Sequence, residues 1–94
     1  MFDFAQLEEV RRRRPLIHCV SNIVTANDCA NLALAVGASP MMAQAPEEME
    51  AISSISDATV LNTGTPDAEK FLACRICAAS ARHPVVLDPV GVGA

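Results

Sequence analysis

Short strand-like runs alternate along this chain with segments of helical periodicity, and the connections between them are only a few residues long. No other feature restricts the fold as tightly. Strands separated by a helix run parallel and are joined by right-handed crossovers. The strand segments are 16–20, 39–42, 58–62 and 85–87. Between them lie four helices. The first is capped by Asp3, with Gln6 as its capping-box partner, carries the stripe Phe4, Leu7 and Val10, and ends at Pro15. The second follows the turn at Ser21–Asn22, carries Ala30, Leu32, Ala33, Leu34 and Val36, and is stopped by Gly37. The third opens at Pro46 with Glu47 and Glu48 in its first turn and runs to about Ser54. The fourth has Thr65 as cap, then Pro66 and Asp67, and continues through Phe71, Leu72, Ile76 and Ala79. The strands read as continuous apolar runs rather than alternating ones, which fits a sheet covered on both faces. The expected class is α/β, a parallel sheet with helices on both faces.

Ninety-four residues support one domain at most. With no Trp or Tyr and only three Phe, the core must be built from Ala, Val, Leu, Ile and Met. The net charge of −4 argues against a nucleic-acid partner, which needs a basic face. The one basic run, Arg11 to Arg14, reads as the solvated end of the first helix, favoured by the helix dipole. No apolar run reaches the roughly 18 residues of a membrane span. The acidic N-terminus has no signal-peptide apolar region, so the chain reads as cytoplasmic, with no membrane partner. Cys19, Cys29, Cys74 and Cys77 then read as reduced, small apolar residues.

In a parallel sheet, ligands bind beyond the carboxyl ends of the strands. Four spots fall there: Ser21–Asn22, Pro40-Met41-Met42, Asn62-Thr63-Gly64-Thr65, and Asp88-Pro89-Val90-Gly91. They are far apart in sequence, yet the fold gathers them on one edge. Asn22 can hydrogen-bond a small ligand or cap the following helix through an Asx turn. Met41 and Met42 offer a polarizable surface suited to a flat heteroaromatic ring, or fill the core. Gly64 permits close backbone approach to a ligand, or simply a turn. Thr65 at a helix N-terminus favours polar ligands and serves equally as an ordinary cap. Asp88, the acid directly after the last strand, can hold Mg²⁺ through water, or can initiate the turn before Pro89.

Other patterns carry less. Gly91 and Gly93 suggest a dinucleotide loop, but a third glycine and a following helix are missing from the pattern. Cys74-Arg75-Ile76-Cys77 lies within a helix, with no second pair to complete a zinc or redox site. His18 lies within a strand run and His83 before one. Neither has a nucleophile partner legible in the sequence.

Residues 15–22, Ala30-Asn31, 37–43, 60–65 and 84–94 together resemble the hydroxyethylthiazole kinase family, of the ribokinase-like superfamily. The Gly-Ala-Ser-Pro-x-Met string at 37–42 and the Leu-Asp-Pro-Val-Gly-x-Gly-Ala string at 87–94 carry most of the likeness, which covers residue 15 to the end. The resemblance implies transfer of the γ-phosphoryl of ATP to the hydroxyl of 4-methyl-5-(2-hydroxyethyl)thiazole, in thiamine biosynthesis and salvage, with Mg²⁺. It implies a homotrimer at full length, with the thiazole near a subunit interface. By motif, Met42 contacts the thiazole, Asn22 and Gly64 line the same pocket, and Asp88 lies near phosphate and metal. Family members continue well beyond this length, so residues 1–94 read as the N-terminal segment of one kinase domain. The catalytic residue and most ATP contacts are expected beyond Ala94. Departures are Asp28 and Cys29, where an aromatic or apolar residue and a small Thr are usual, a shorter stretch before Pro84, and His83-Pro84 for the usual Gly-Val-Pro. Two rivals follow: a remnant that only binds a small ligand or self-associates through an open sheet edge, and a related vitamin kinase such as hydroxymethylpyrimidine kinase. The 37–42 string speaks against the latter.

Overall fold

The computed structural model describes residues 4–22, 24–64 and 67–89. Its order is α1 (Phe4–Arg13), β1 (Leu16–Val20), α2 (Ala26–Ala35), β2 (Ser39–Met41), a single 3₁₀ turn (Pro46–Glu48), α3 (Met49–Ile55), β3 (Ala58–Asn62), α4 (Ala68–Ser80) and β4 (Val85–Asp88). The four strands form one parallel sheet in the order β2-β1-β3-β4. The expected alternation is therefore found, with four adjustments. The second strand ends at Met41 rather than Met42, and the last takes in Asp88 rather than ending at Leu87. The helix opened by Pro46 begins as a 3₁₀ turn, because proline at the first position and two acids close a tight turn before the α-helical ladder starts. The cap of α4 is Asp67, whose Oδ1 accepts from Lys70 N at 2.7 Å. Asp3, Thr65, Pro66, Gly91 and Gly93 lie outside the described residues.

Local chemistry sets the boundaries. Helix α1 ends with Arg11, Arg12 and Arg13 in its last turn, as the dipole favours, and Arg12 and Arg13 both pair with Glu9 on the exposed surface. Helix α2 closes in a Schellman motif: Ala38 N donates to Ala33 O at 2.9 Å and Gly37 N to Leu34 O at 3.0 Å. Gly37 sits at φ +95°, and a Cβ there would come within 2.9 Å of Arg11 Cα. Glycine is required twice over, for the left-handed backbone and for the close pass of α1. Asp57 locks β1 to the start of β3: its Oδ2 accepts from Leu16 N at 2.7 Å, and its N–H donates to Leu16 O at 2.8 Å.

Register partners in a parallel pair project to the same face. His18 with Thr59 and Val20 with Leu61 therefore share one face of the sheet. Helices α3 and α4 pack there, and Val20, Met49, Leu61, Ala73, Cys74 and Cys77 form the buried core. On the opposite face Cys19 is buried beside Cys29 of α2. Helices thus lie on both faces, as expected. The cover is incomplete over β4: every residue from Val85 to Asp88 is exposed, Val86 at 60% and Leu87 at 59%. An apolar run such as 85–87 does not by itself tell a covered strand from an uncovered one.

The helices change sides where the chain reverses direction. From β1 it steps out to β2 through α2; from β2 it recrosses β1 to β3 through α3, on the other face; from β3 it continues outward through α4. Right-handed crossovers demand this change of face. It leaves a crevice beyond the carboxyl ends of β1 and β3, which is the switch point of the sheet.

Candidate functional site

Two asparagines meet at that switch point. Asn22 follows β1 and Asn62 ends β3. Asn22 Nδ2 donates to Asn62 Oδ1 at 3.4 Å. Asn22 Oδ1 accepts from Val24 N at 2.9 Å and Thr25 N at 3.0 Å, which is an Asx turn into α2. Asn22 takes the turn role through its side-chain carbonyl, while its amide nitrogen bonds Asn62 across the switch point. Asn62 Oδ1 also accepts from Gly64 N at 2.8 Å. These bonds do not use the second hydrogen of Asn22 Nδ2 or the two of Asn62 Nδ2.

Gly64 completes the cluster. A Cβ there would lie 3.0 Å from Asn62 Oδ1 and 3.1 Å from Asn22 Nδ2. Its place is therefore one of close approach, not merely of a loose turn. The Gly64 carbonyl accepts from the ammonium of Lys70, a residue only 5% exposed.

Met42 stands one residue past β2, half-buried, on the outer side of β1. Two hydrogen bonds tie its segment to the end of β1: Gln44 Nε2 donates to Ser21 O at 2.8 Å, and His18 Nε2 lies 2.8 Å from Ala43 O. A carbonyl only accepts, so Nε2 carries the proton and the Nδ1 lone pair faces Cys77 Sγ, 3.8 Å away in the core. His18 is wholly buried and acts as a strut between β1 and the segment after β2. His83 is likewise engaged, its Nε2 2.6 Å from Thr59 Oγ1 at the opposite end of β3.

Asp88 is the register partner of Asn62, and its backbone carbonyl accepts from Thr63 N at 3.1 Å. Its carboxylate is exposed. Met42 follows β2 and Asp88 ends β4, the two outer strands, whose lines run about 14 Å apart across three strand spacings. The structure therefore joins Asn22 and Gly64 directly, sets Met42 to one side and sets Asp88 to the other. Among the described residues no three His, Cys, Asp or Glu gather to hold a metal. A lone exposed acid fits Mg²⁺, which keeps most of its water and shares phosphate ligands rather than entering a protein cage.

The cysteines are free, and those of the core are unreactive by environment. Burial raises Cys77 from its ordinary 9.0 to about 11, with Cys74 adding to the effect. Burial also raises Cys74, against the neighbouring Lys70, and raises Cys19, with Cys29 adding. The Cys74–Cys77 pair is thus packing, as its place inside α4 suggested.

The sequence did not single out Lys70 or Gln44; it marked Asn62 only as the first residue of the 62–65 spot, with no role of its own, and His18 only as a strand residue. For Lys70 a signal existed: it is the only lysine of the sequence, three residues after an aspartate that can cap.

Comparison with known proteins decides the family. The hydroxyethylthiazole kinase family matches residues 7–94. The chain belongs to the hydroxyethylthiazole kinase family. A hydroxyethylthiazole kinase of Listeria monocytogenes is 54% identical over all of this chain and 36% of its own length. One of Methanobrevibacter smithii is 50% identical over 93% of this chain and 31% of its own length. The structure of a hydroxyethylthiazole kinase protein from Pyrococcus horikoshii superposes with a TM-score of 0.86 at 44% identity, over 93% of this chain and 35% of that one. The chain spans about a third of the length of the curated relatives it matches. The ribokinase-like α/β architecture expected for this family is the one found.

Proposed function

We propose that this chain supplies the thiazole-binding end of a kinase that phosphorylates the hydroxyl of 4-methyl-5-(2-hydroxyethyl)thiazole with ATP, in thiamine biosynthesis and salvage. The observation that carries the reading is the Asn22–Asn62–Gly64 cluster at the switch point of a family sheet. The cluster presents amide donors, and the ligand offers a ring nitrogen and a hydroxyl oxygen as acceptors. Gly64 lets the flat ring approach the backbone. Met42 supplies a thioether surface from the β2 side. The relatives named above carry the same activity in their names.

Asp88 is the residue that would hold Mg²⁺ through its water shell, on the β4 side of the pocket. When bound, the ion supplies charge neutralisation to the phosphates of ATP. The residues of this chain orient the alcohol; none of those described is assigned the proton transfer. The reading also includes a homotrimer with the thiazole near a subunit interface, a cytoplasmic setting, and no nucleic-acid or membrane partner. No helix among the described residues is long and apolar enough to cross a membrane.

The test is an assay for the phosphate ester by ³¹P NMR on the full-length kinase whose thiazole-binding end this chain is proposed to be, with the thiazole alcohol and Mg²⁺–ATP, and hydroxymethylpyrimidine as competitor. The expected result is ester on the thiazole only, with Asn22→Ala raising the thiazole KM about tenfold through the loss of one half-buried donor. Preference for the pyrimidine, or an Asn22→Ala variant with unchanged KM, would contradict the reading. Saturable thiazole binding without ester would favour a binding module instead.

A further inference from the structure

A charged group with almost no access to water persists only where something accepts its protons. Lys70, at 5% exposure, is such a group, and its acceptor is the Gly64 carbonyl. The N–H of the same glycine is held by Asn62 Oδ1 at 2.8 Å. Gly64 is therefore gripped through both of its backbone polar groups. The grip is built from α4: Asp67 Oδ1 accepts from Lys70 N at 2.7 Å and fixes the first turn from which the lysine stem departs. Lys70 also borders a cavity of about 250 Å³ together with Gln44, Ala45, Asp67 and Glu69. Gln44 is the residue that binds Ser21 O at the end of β1. The lysine thus stands between the segment that carries Met42 and the one that carries Gly64.

We propose that Lys70 is a positioning residue for the ligand site, holding the Gly64 peptide against the Asn22–Asn62 amide pair. This rests on reading that site as the thiazole pocket. The pocket wall at Gly64 has no side chain, so the ring packs against backbone, and the position of that backbone sets the fit. A Cβ placed there would already be 3.1 Å from Asn22 Nδ2, so a small drift of the peptide closes or opens the wall.

Two variants test it. Lys70→Met removes the donors from an unbranched side chain one atom shorter than lysine, while Lys70→Gln restores an N–H donor on a side chain of the same length as methionine. Two quantities are read on the intact chain: amide hydrogen exchange at Gly64 without ligand, and the dissociation constant of 4-methyl-5-(2-hydroxyethyl)thiazole. In Lys70→Met, Gly64 exchange is expected to rise about tenfold, the size of one hydrogen bond to a charged group, while Cys19 and Val20 in β1 stay at their wild-type rates. Thiazole binding is expected to weaken by a similar factor, and Lys70→Gln to recover part of both. Unchanged exchange at Gly64, or an equal rise at Gly64 and in β1, would overturn the proposal, the second because it marks a general loss of stability. Selective loss of Gly64 protection in a chain that binds no thiazole would leave the clamp standing and remove the substrate reading.

Discussion

Cys77 shows how one buried residue writes itself into the behaviour of the whole chain. It is fully buried, with Sγ 3.3 Å from Met49 Sδ and 3.8 Å from His18 Nδ1. Burial holds its thiol protonated up to about 11, whereas the unfolded chain releases that proton near the ordinary 9.0. Above pH 9 the unfolded state binds fewer protons than the folded one, so stability falls as pH rises. The contribution is whole below pH 9 and is lost by about pH 11. Urea midpoints taken across this window should therefore drop, and Cys77→Ala should show a shallower drop from a lower starting stability. Cys74 and Cys19 are shifted the same way, so some slope remains in the variant. A midpoint that stays level from pH 9 to 11 would show that the thiol is not held as described. At this scale the sequence placed Asn22 and Gly64 at strand ends that the structure brings together, and left open whether Asn22, Met42 and Gly64 serve a ligand or the fold. It gave Asn62 a place at a strand end but no role, and was silent on Lys70, because a contact across the sheet and a burial are not encoded by spacing.

At the scale of elements, caps and turns were the most legible parts. Gly37 after α2 and the acids and proline before α3 stand where their backbone chemistry puts them. The α4 cap shows the limit. The sequence reading assigns the cap to Thr65, although Asp67, two residues on, is an equally good cap. The structure gives the role to Asp67. Asp67→Ala should cost about 1 kcal/mol of stability, read by urea unfolding, since it strips the acceptor from Lys70 N. The same substitution loosens the turn that aims the Lys70 side chain, so thiazole binding should weaken alongside. A stability change near zero would assign the cap elsewhere. The strands tell a similar story. Their parallel order followed from the alternation of elements, but burial did not: β3 alternates buried and half-buried positions, and β4 is exposed throughout. Apolar content at 85–87 reports what a strand can bury, not what covers it.

For the molecule as a whole, the reversal of chain direction around β1 is what creates a site. It separates the paths leaving β1 and β3 and brings together Asn22, Asn62 and Gly64, residues up to 42 positions apart in the sequence. A second cavity, of about 440 Å³, lies at the far end of α3 and α4, lined by Glu50, Ser54, Ala79, Ser80, Ala81 and Arg82. It is larger, yet none of the residues that converge at the strand ends reaches it. Size and chemistry thus point to different places, and the account rests on chemistry. The most direct trial is an NMR titration of the chain with 4-methyl-5-(2-hydroxyethyl)thiazole, following backbone amides, asparagine side-chain amides and methionine methyls. The account predicts saturable shifts at the Asn22 and Asn62 side chains, the Gly64 amide and the Met42 methyl, with Ser54, Ser80 and Arg82 unmoved. Shifts centred on Ser54, Ser80 and Arg82, or no saturable shift at Asn22 and Gly64, would contradict it.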